Sequence, residues 1–234
     1  MTRARALLVS ATMAMTMTLG AAGARSAEVP VRTPVGQFGI PVRSMIDQRF
    51  TGVVRQRYDF SCGSAALATL LTYHYEMPTD EVAAFQAMFA AGDQNEIRRR
   101  GFSLLEMQQY LAKNGLTSNA YRESLDRLQK VGVPAIVLIE PNGYRHFVVI
   151  KGLTDREVLV ADPAVGLKRY DRPAFEAIWR NRLLFVIEGK AAIGRSRFNE
   201  TSSWTALPRA RFDNLATREA LMTATWLGRG PGEF

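Results

Sequence analysis

One cysteine, Cys62, stands in a chain of 234 residues. A single thiol excludes any internal disulfide. Histidine is nearly as scarce, with only His74 and His146. One cysteine and two distant histidines fall short of the three or four ligands that zinc takes, and neither CxxC nor HExxH spacing occurs. There is no phosphate-cradling glycine loop and no dinucleotide fingerprint, so no cofactor is expected. Past the N-terminus no apolar run is long enough to span a bilayer. Lysine and arginine outnumber the acids 30 to 22, a net charge of +8. These charges are scattered and not interleaved with aromatics, which excludes a nucleic-acid partner. A membrane surface, cell-wall anions or an acidic segment of a partner suits such a chain better. With 47% apolar and 22% charged residues, the composition is that of a globular protein.

The first residues read as a secretory signal peptide. Arg3 and Arg5 form a positive n-region, Ala6 to Leu19 is apolar, and Ala22-Gly23-Ala24 is an A-x-A site. Cleavage is expected before Arg25, with a cut after Ala27 as the alternative, and the apolar stretch is short for an uncleaved anchor. Removing residues 1–24 takes away Arg3 and Arg5 and no acid, which lowers the net charge from +8 to +6. The expectation is an exported, periplasmic protein with no stable membrane span after cleavage. In an oxidising compartment a lone cysteine is a liability unless it is buried or used.

Cys62 sits in Gln56-Arg57-Tyr58-Asp59-Phe60-Ser61-Cys62-Gly63-Ser64-Ala65-Ala66-Leu67. Helical spacing from Ala65 through Leu67, Leu70, Leu71 and His74 places the cysteine at the first turn of a buried helix. The free N–H groups and positive dipole end there favour a thiolate. Gly63 and Ser64 have little bulk, which would let a substrate approach the sulfur. The competing reading is a small buried hydrophobe with no chemistry.

Residues 25–50 contain three prolines and little periodicity and read as an extension, with Val53-Val54 as a short strand. Thr79-Asp80-Glu81 caps a second helix and Ser103-x-x-Glu106 is a capping box for a third. The run Arg98-Arg99-Arg100 reads as a solvated loop or helix face. Asn114-Gly115 ends the third helix, and a short helix over 124–131 stops at Gly132. Strands follow at 135–139, 146–150, 158–161, 167–170 and 183–187, with a helix over 173–179. Helices first and an antiparallel meander after them predict an α+β fold over 51–188. Periodicity fades in residues 189–234, a basic C-terminal extension in which 215–227 could form one helix.

His74 lies twelve residues beyond Cys62, ~18 Å along a helix, and cannot reach it. His146 opens a strand just after a turn, and Asp162 closes the neighbouring strand. Antiparallel neighbours bring both to one end of the sheet. A carboxylate can then hold one imidazole nitrogen while the other faces the helix N-terminus, which is what a thiol nucleophile needs. The Cys62 backbone N–H and the Gln56 side-chain amide are candidate oxyanion donors. Taken singly, Asp162-Pro163 is a turn and His146 an ordinary strand histidine; it is the joint pattern that points to catalysis.

Gln56-x5-Cys62-Gly63-Ser64-Ala65-Ala66-Leu67, His146-Phe147-Val148-Val149, Asp162-Pro163-x2-Gly166 and Phe175-x3-Trp179 resemble the C39 peptidase family. These are papain-like cysteine proteases, best known as the leader-cutting domains of bacteriocin exporters. The resemblance implies a papain-like fold, an N-terminal helical half with the nucleophile helix packed on an antiparallel sheet. It also implies a catalytic set of Cys62, His146, Asp162 and Gln56. A free-standing exported member is similar to the C39-like proteases that accompany bacterial functional-amyloid secretion. That implies a peptide or protein substrate among amyloid or secretion-system components. A C39-like module that escorts such a substrate without cutting it, or a Cys-His-Asp acyltransferase, is the alternative.

Overall fold

The computed structural model describes residues 27–33, 36–42 and 44–207. The signal peptide and the helix expected over 215–227 lie outside the described residues. Two compact units divide the chain between Arg43 and Ser44. The first contains an antiparallel hairpin, β1 (Ala27–Thr33) with β2 (Gly36–Val42). The sequence reading gave this segment no strand. Its prolines had hidden the pairing, and a two-stranded ribbon tolerates proline wherever the missing N–H faces away from its partner.

The second unit opens with α1 (Met45–Arg49), capped by the Ser44 hydroxyl, and an irregular stretch leads to α2 (Cys62–His74). Val53-Val54 is not a strand. The Val54 N–H donates instead to Thr69 Oγ1 on α2, at 2.9 Å. Helices α3 (Glu81–Ala91), α4 (Gln94–Arg100) and α5 (Leu104–Lys113) follow. Asp80 caps α3, Asp93 caps α4, and both halves of the Ser103–Glu106 capping box are made.

A six-stranded antiparallel sheet forms the other half. Its strands are β3 (Ser118–Arg122), β4 (Ala135–Ile139), β5 (His146–Leu153), β6 (Glu157–Asp162), β7 (Gly166–Asp171) and β8 (Leu183–Ile187), in the order β3-β8-β4-β5-β6-β7. The expected meander holds from β4 to β7. The last strand, however, returns to pair with β3 and β4. Two more helices cover the chain between strands, α6 (Leu125–Val131) and α7 (Arg172–Ile178).

Both sheet faces are buried, which is why β4 and β5 read as unbroken apolar runs. Ile136, Phe147, Val149, Ala161 and Phe185 join the core shared with α2, α3 and α5. Val137, Val148, Ile150, Val160 and Leu184 join a second core with Leu128, Phe175 and Trp179. Helix α2 is buried nearly all round, with apolar or small residues on every side. Gly63 is part of this packing. A Cβ there would meet Phe102 Cβ and Met107 Cε, each at 2.9 Å. Its small size therefore serves the helix–helix contact and not, as expected from the sequence, the approach of a substrate.

The unit does not stop at residue 188. Helices α8 (Ala191–Arg197) and α9 (Thr201–Thr205) fold back on it. Asn199 clips β5, accepting from the Leu153 N–H at 2.7 Å and donating to its carbonyl at 3.1 Å. Arg169 on β7 donates to the carbonyls of Trp204 and Leu207.

At the β6–β7 turn Gly166 has φ +88°, and a Cβ would lie 2.5 Å from the Arg49 carbonyl oxygen. Gly166→Ala is expected to lower stability by about 2 kcal/mol or more, from left-handed strain and from displacing α1. Urea denaturation followed by tryptophan fluorescence measures it.

Candidate active site

Cys62 is the first residue of α2. The residue before it, Ser61, gives α2 no side-chain cap. Its hydroxyl is used backwards, accepting from the Tyr58 N–H at 3.1 Å and donating to the Tyr58 carbonyl at 3.0 Å. The first-turn N–H groups of α2 therefore keep their positive character at the sulfur. Inside that turn the Ser64 hydroxyl bonds the Ser61 carbonyl at 2.9 Å and Glu81 Oε1 at 3.0 Å. The tip of α2 is thus tied to the first turn of α3.

His146 begins β5 and Asp162 ends β6. The imidazole Nε2 donates to Asp162 Oδ1 at 2.7 Å. Asp162 Oδ1 also accepts from the N–H groups of Ala164 and Val165 at 2.8 and 3.4 Å, so the turn after β6 orients the carboxylate. The other imidazole nitrogen, Nδ1, is buried and makes no hydrogen bond of ordinary geometry. Cys62, at the first turn of α2, is with Asp162 one of the neighbours that raise the imidazole pKa. Cys62 and His146 are 6% and 4% exposed, so both groups lie almost out of water.

Burial by itself would lower the His146 pKa. The hydrogen bonds and charges of Asp162 and Cys62 outweigh it and raise the pKa to about 9. Burial likewise raises the Asp162 pKa, but the His146 bond and charge, with the two backbone N–H groups, bring it below the usual carboxylate value. The pair is an ionic one, an imidazolium between a carboxylate and a sulfur.

Gln56 is joined to the same turn, its N–H donating to the Pro163 carbonyl at 3.0 Å. Its side-chain Nε2 donates to the Tyr58 carbonyl at 3.0 Å, which leaves one amide proton for another acceptor. Gln56 Oε1 is buried and has no partner. His74 takes no part in the site. It lies at the far end of α2, 1% exposed, with both ring nitrogens unpartnered. Burial, then the charges of Lys151 and Arg197, lowers its pKa to about 3. Among the described residues no three His, Cys, Asp or Glu side chains cluster as a metal site would need.

Tyr144 did not figure in the sequence reading. Its ring centroid lies 6.0 Å from that of His146, tilted by 31°, and its hydroxyl donates to the Asp59 carbonyl at 3.0 Å. The available signal was an aromatic residue between a Pro-Asn-Gly turn and the histidine two positions on.

A helical half packed on an antiparallel sheet, with cysteine, histidine and aspartate brought to their junction, defines the papain-like class of folds. Within that class the chain belongs to the peptidase C39 family, whose model matches residues 51–191. The chain is 42% identical over 149 residues to the probable functional amyloid protease FapD of Pseudomonas aeruginosa, covering 64% of this chain and 66% of the relative. It is 40% identical to the protein of the same description from Pseudomonas fluorescens, with the same coverage. The match thus spans just under two thirds of these relatives' length. Among solved structures, the peptidase domain of Streptococcus ComA, a bi-functional ABC transporter involved in quorum sensing, superposes with a TM-score of 0.50 at 18% identity. That superposition covers 58% of this chain and 96% of the domain and shows the fold.

The two histidines should titrate far apart, His146 near pH 9 and His74 near pH 3, with neither at the ordinary 6.5. Nitrogen-detected NMR of the two imidazoles reads this directly, and Asp162→Asn should bring the upper midpoint down. The signs for stability follow by linkage. The His146 contribution is fully present below about 6.5 and is lost as pH rises through about 9. The His74 site favours folding only while neutral, so stability falls as pH drops below 6.5 toward about 3. The melting temperature should therefore peak near pH 6.5 with respect to these two groups.

Proposed function

We propose that this chain is an exported cysteine endopeptidase, and that Cys62, His146, Asp162 and Gln56 are its catalytic groups. The observation that carries the reading is the imidazole held through Nε2 by Asp162 at 2.7 Å, with Nδ1 left for the Cys62 sulfur. In the reaction, the Cys62 sulfur attacks the carbonyl carbon of the scissile peptide bond. The carbonyl electron pair moves to oxygen, where the Cys62 N–H and the remaining Gln56 amide proton receive it. The tetrahedral species collapses by expelling the amine, which takes its proton from the His146 imidazolium. A thioester to Cys62 remains. Water then attacks this thioester, giving its proton to the now neutral His146, and the acid product leaves as the thiol pair is restored. Asp162 keeps the ring oriented and stabilises its charged form throughout.

The substrate proposed is an exported peptide or protein, in keeping with the amyloid-protease description carried by the two Pseudomonas relatives. Export through the N-terminal segment would place the reaction in the periplasm. A binding module without activity, or an acyltransferase, differs in outcome and not in fold: the first needs no sulfur, and the second passes the acyl group to an amine.

Cys62→Ala should leave the fold intact and lower turnover by roughly 10⁴-fold or more. Mass spectrometry of exported proteins from cells carrying wild type or Cys62→Ala tests this. A fragment found only with wild type supports the reading and gives the cleavage site. Equal fragment patterns with both, or acyl transfer in place of a free carboxyl end, would count against it.

A further inference from the structure

Both groups of the thiol–imidazole pair are nearly shielded from solvent, although a peptide must reach them. The side chain that stands over His146 is Tyr144, itself 55% exposed. It rises from the β4–β5 connection, where Asn142 and Gly143 both have positive φ, +53° and +82°. These two residues turn the chain back sharply and lift the phenol off the sheet end. The hydroxyl then reaches the Asp59 carbonyl, in the loop three residues before Cys62. One hydrogen bond therefore joins the two walls of the site, the loop leading into α2 and the turn leading into β5. Burial first, and then its neighbours Cys62, Asp59 and Asp162, raise the pKa of this phenol, so it stays a protonated donor.

We infer that Tyr144 is an access latch: its hydroxyl bond to the Asp59 carbonyl holds the approach to Cys62 partly closed, and larger reactants enter when that bond opens. The inference deepens the peptidase reading, since it makes Tyr144 a residue that selects by size what reaches the sulfur. Tyr144 gives and takes no proton in the reaction. The bond is also renewable, because its acceptor is a main-chain carbonyl held in place by the loop. Tyr58, two residues before Phe60 in that loop, stacks on Phe60 at 5.8 Å and lies 5.5 Å from Phe85, so the Asp59 side of the latch is anchored to α3.

The test uses the full chain and reads alkylation of Cys62, the only thiol, by a small reagent, iodoacetamide, and by a bulky one, pyrenyl maleimide. Tyr144→Phe keeps the ring and loses the bond. It should speed labelling by the bulky reagent about fivefold, the change that loss of one neutral hydrogen bond makes to an opening equilibrium, with a smaller effect on iodoacetamide. Tyr144→Ala should exceed it. Asp59→Asn keeps the carbonyl and should label like wild type. Unchanged rates in Tyr144→Phe would overturn the latch. So would an equal acceleration for both reagents, since that is general loosening. The readout needs no substrate, so its failure leaves the peptidase reading standing, and a failure to cleave leaves the latch standing.

Discussion

The packing of α2 against the sheet is the constraint on which the rest of the site depends. A helix buried on almost every side has one position and one rotation, because Leu67, Leu70 and Leu71 must meet the core residues of β4 and β5. Cys62 is the first residue of that helix, so the core sets its position and no flexible loop does. The tip of α2 is fixed as tightly as its middle. Gly63 admits Phe102 and Met107, and Ser64 bridges to Glu81. The chain before it is moored too, by Thr69 to Val54 and by Pro163 to Gln56. The last of these bonds joins the loop that feeds α2 directly to the turn that carries Asp162.

Charge is divided along this one helix. At its N-terminal end an imidazole gains a carboxylate and a sulfur and holds its proton tightly. At its C-terminal end another imidazole, equally enclosed, faces the charges of Lys151 and Arg197 and loses its proton readily. Burial penalises the charged form in both places. What differs is whether an anion answers it. The neutral His74 lets the far end of α2 pack beside Lys151 without a third positive charge, while the near end carries the ionic pair.

Local chemistry made much of this readable in advance. The caps at Asp80 and Ser103, the stop at Gly132 and the apolar runs of β4 and β8 are signals written within a few residues. The meeting of His146 with Asp162 was legible as well, because antiparallel strands joined by a short turn leave few choices for which ends coincide. The insertion of β8 between β3 and β4 was not legible, since any apolar strand can pair with any exposed edge. Gly63 looked like open space because a sequence does not say which side of a helix a neighbour occupies. Tyr144 was missed for a related reason. Its partner is a backbone carbonyl 85 positions away, and a main-chain acceptor leaves no residue-type signature.

The Asn199 clip bears on where this folding unit can be cut. Its side-chain amide stands in for a neighbouring strand, satisfying both main-chain groups of Leu153 just after the irregularity at Ile150–Gly152. Trp204 lies close against Gly152, where even a methyl group would collide with Asn199 Oδ1 at 2.5 Å and press on the indole. A recombinant fragment trimmed to the matched span, 51–191, would strip that cover and expose an unpaired strand end to other molecules. The packed unit therefore extends past the span that the family model matches, through α8 and α9.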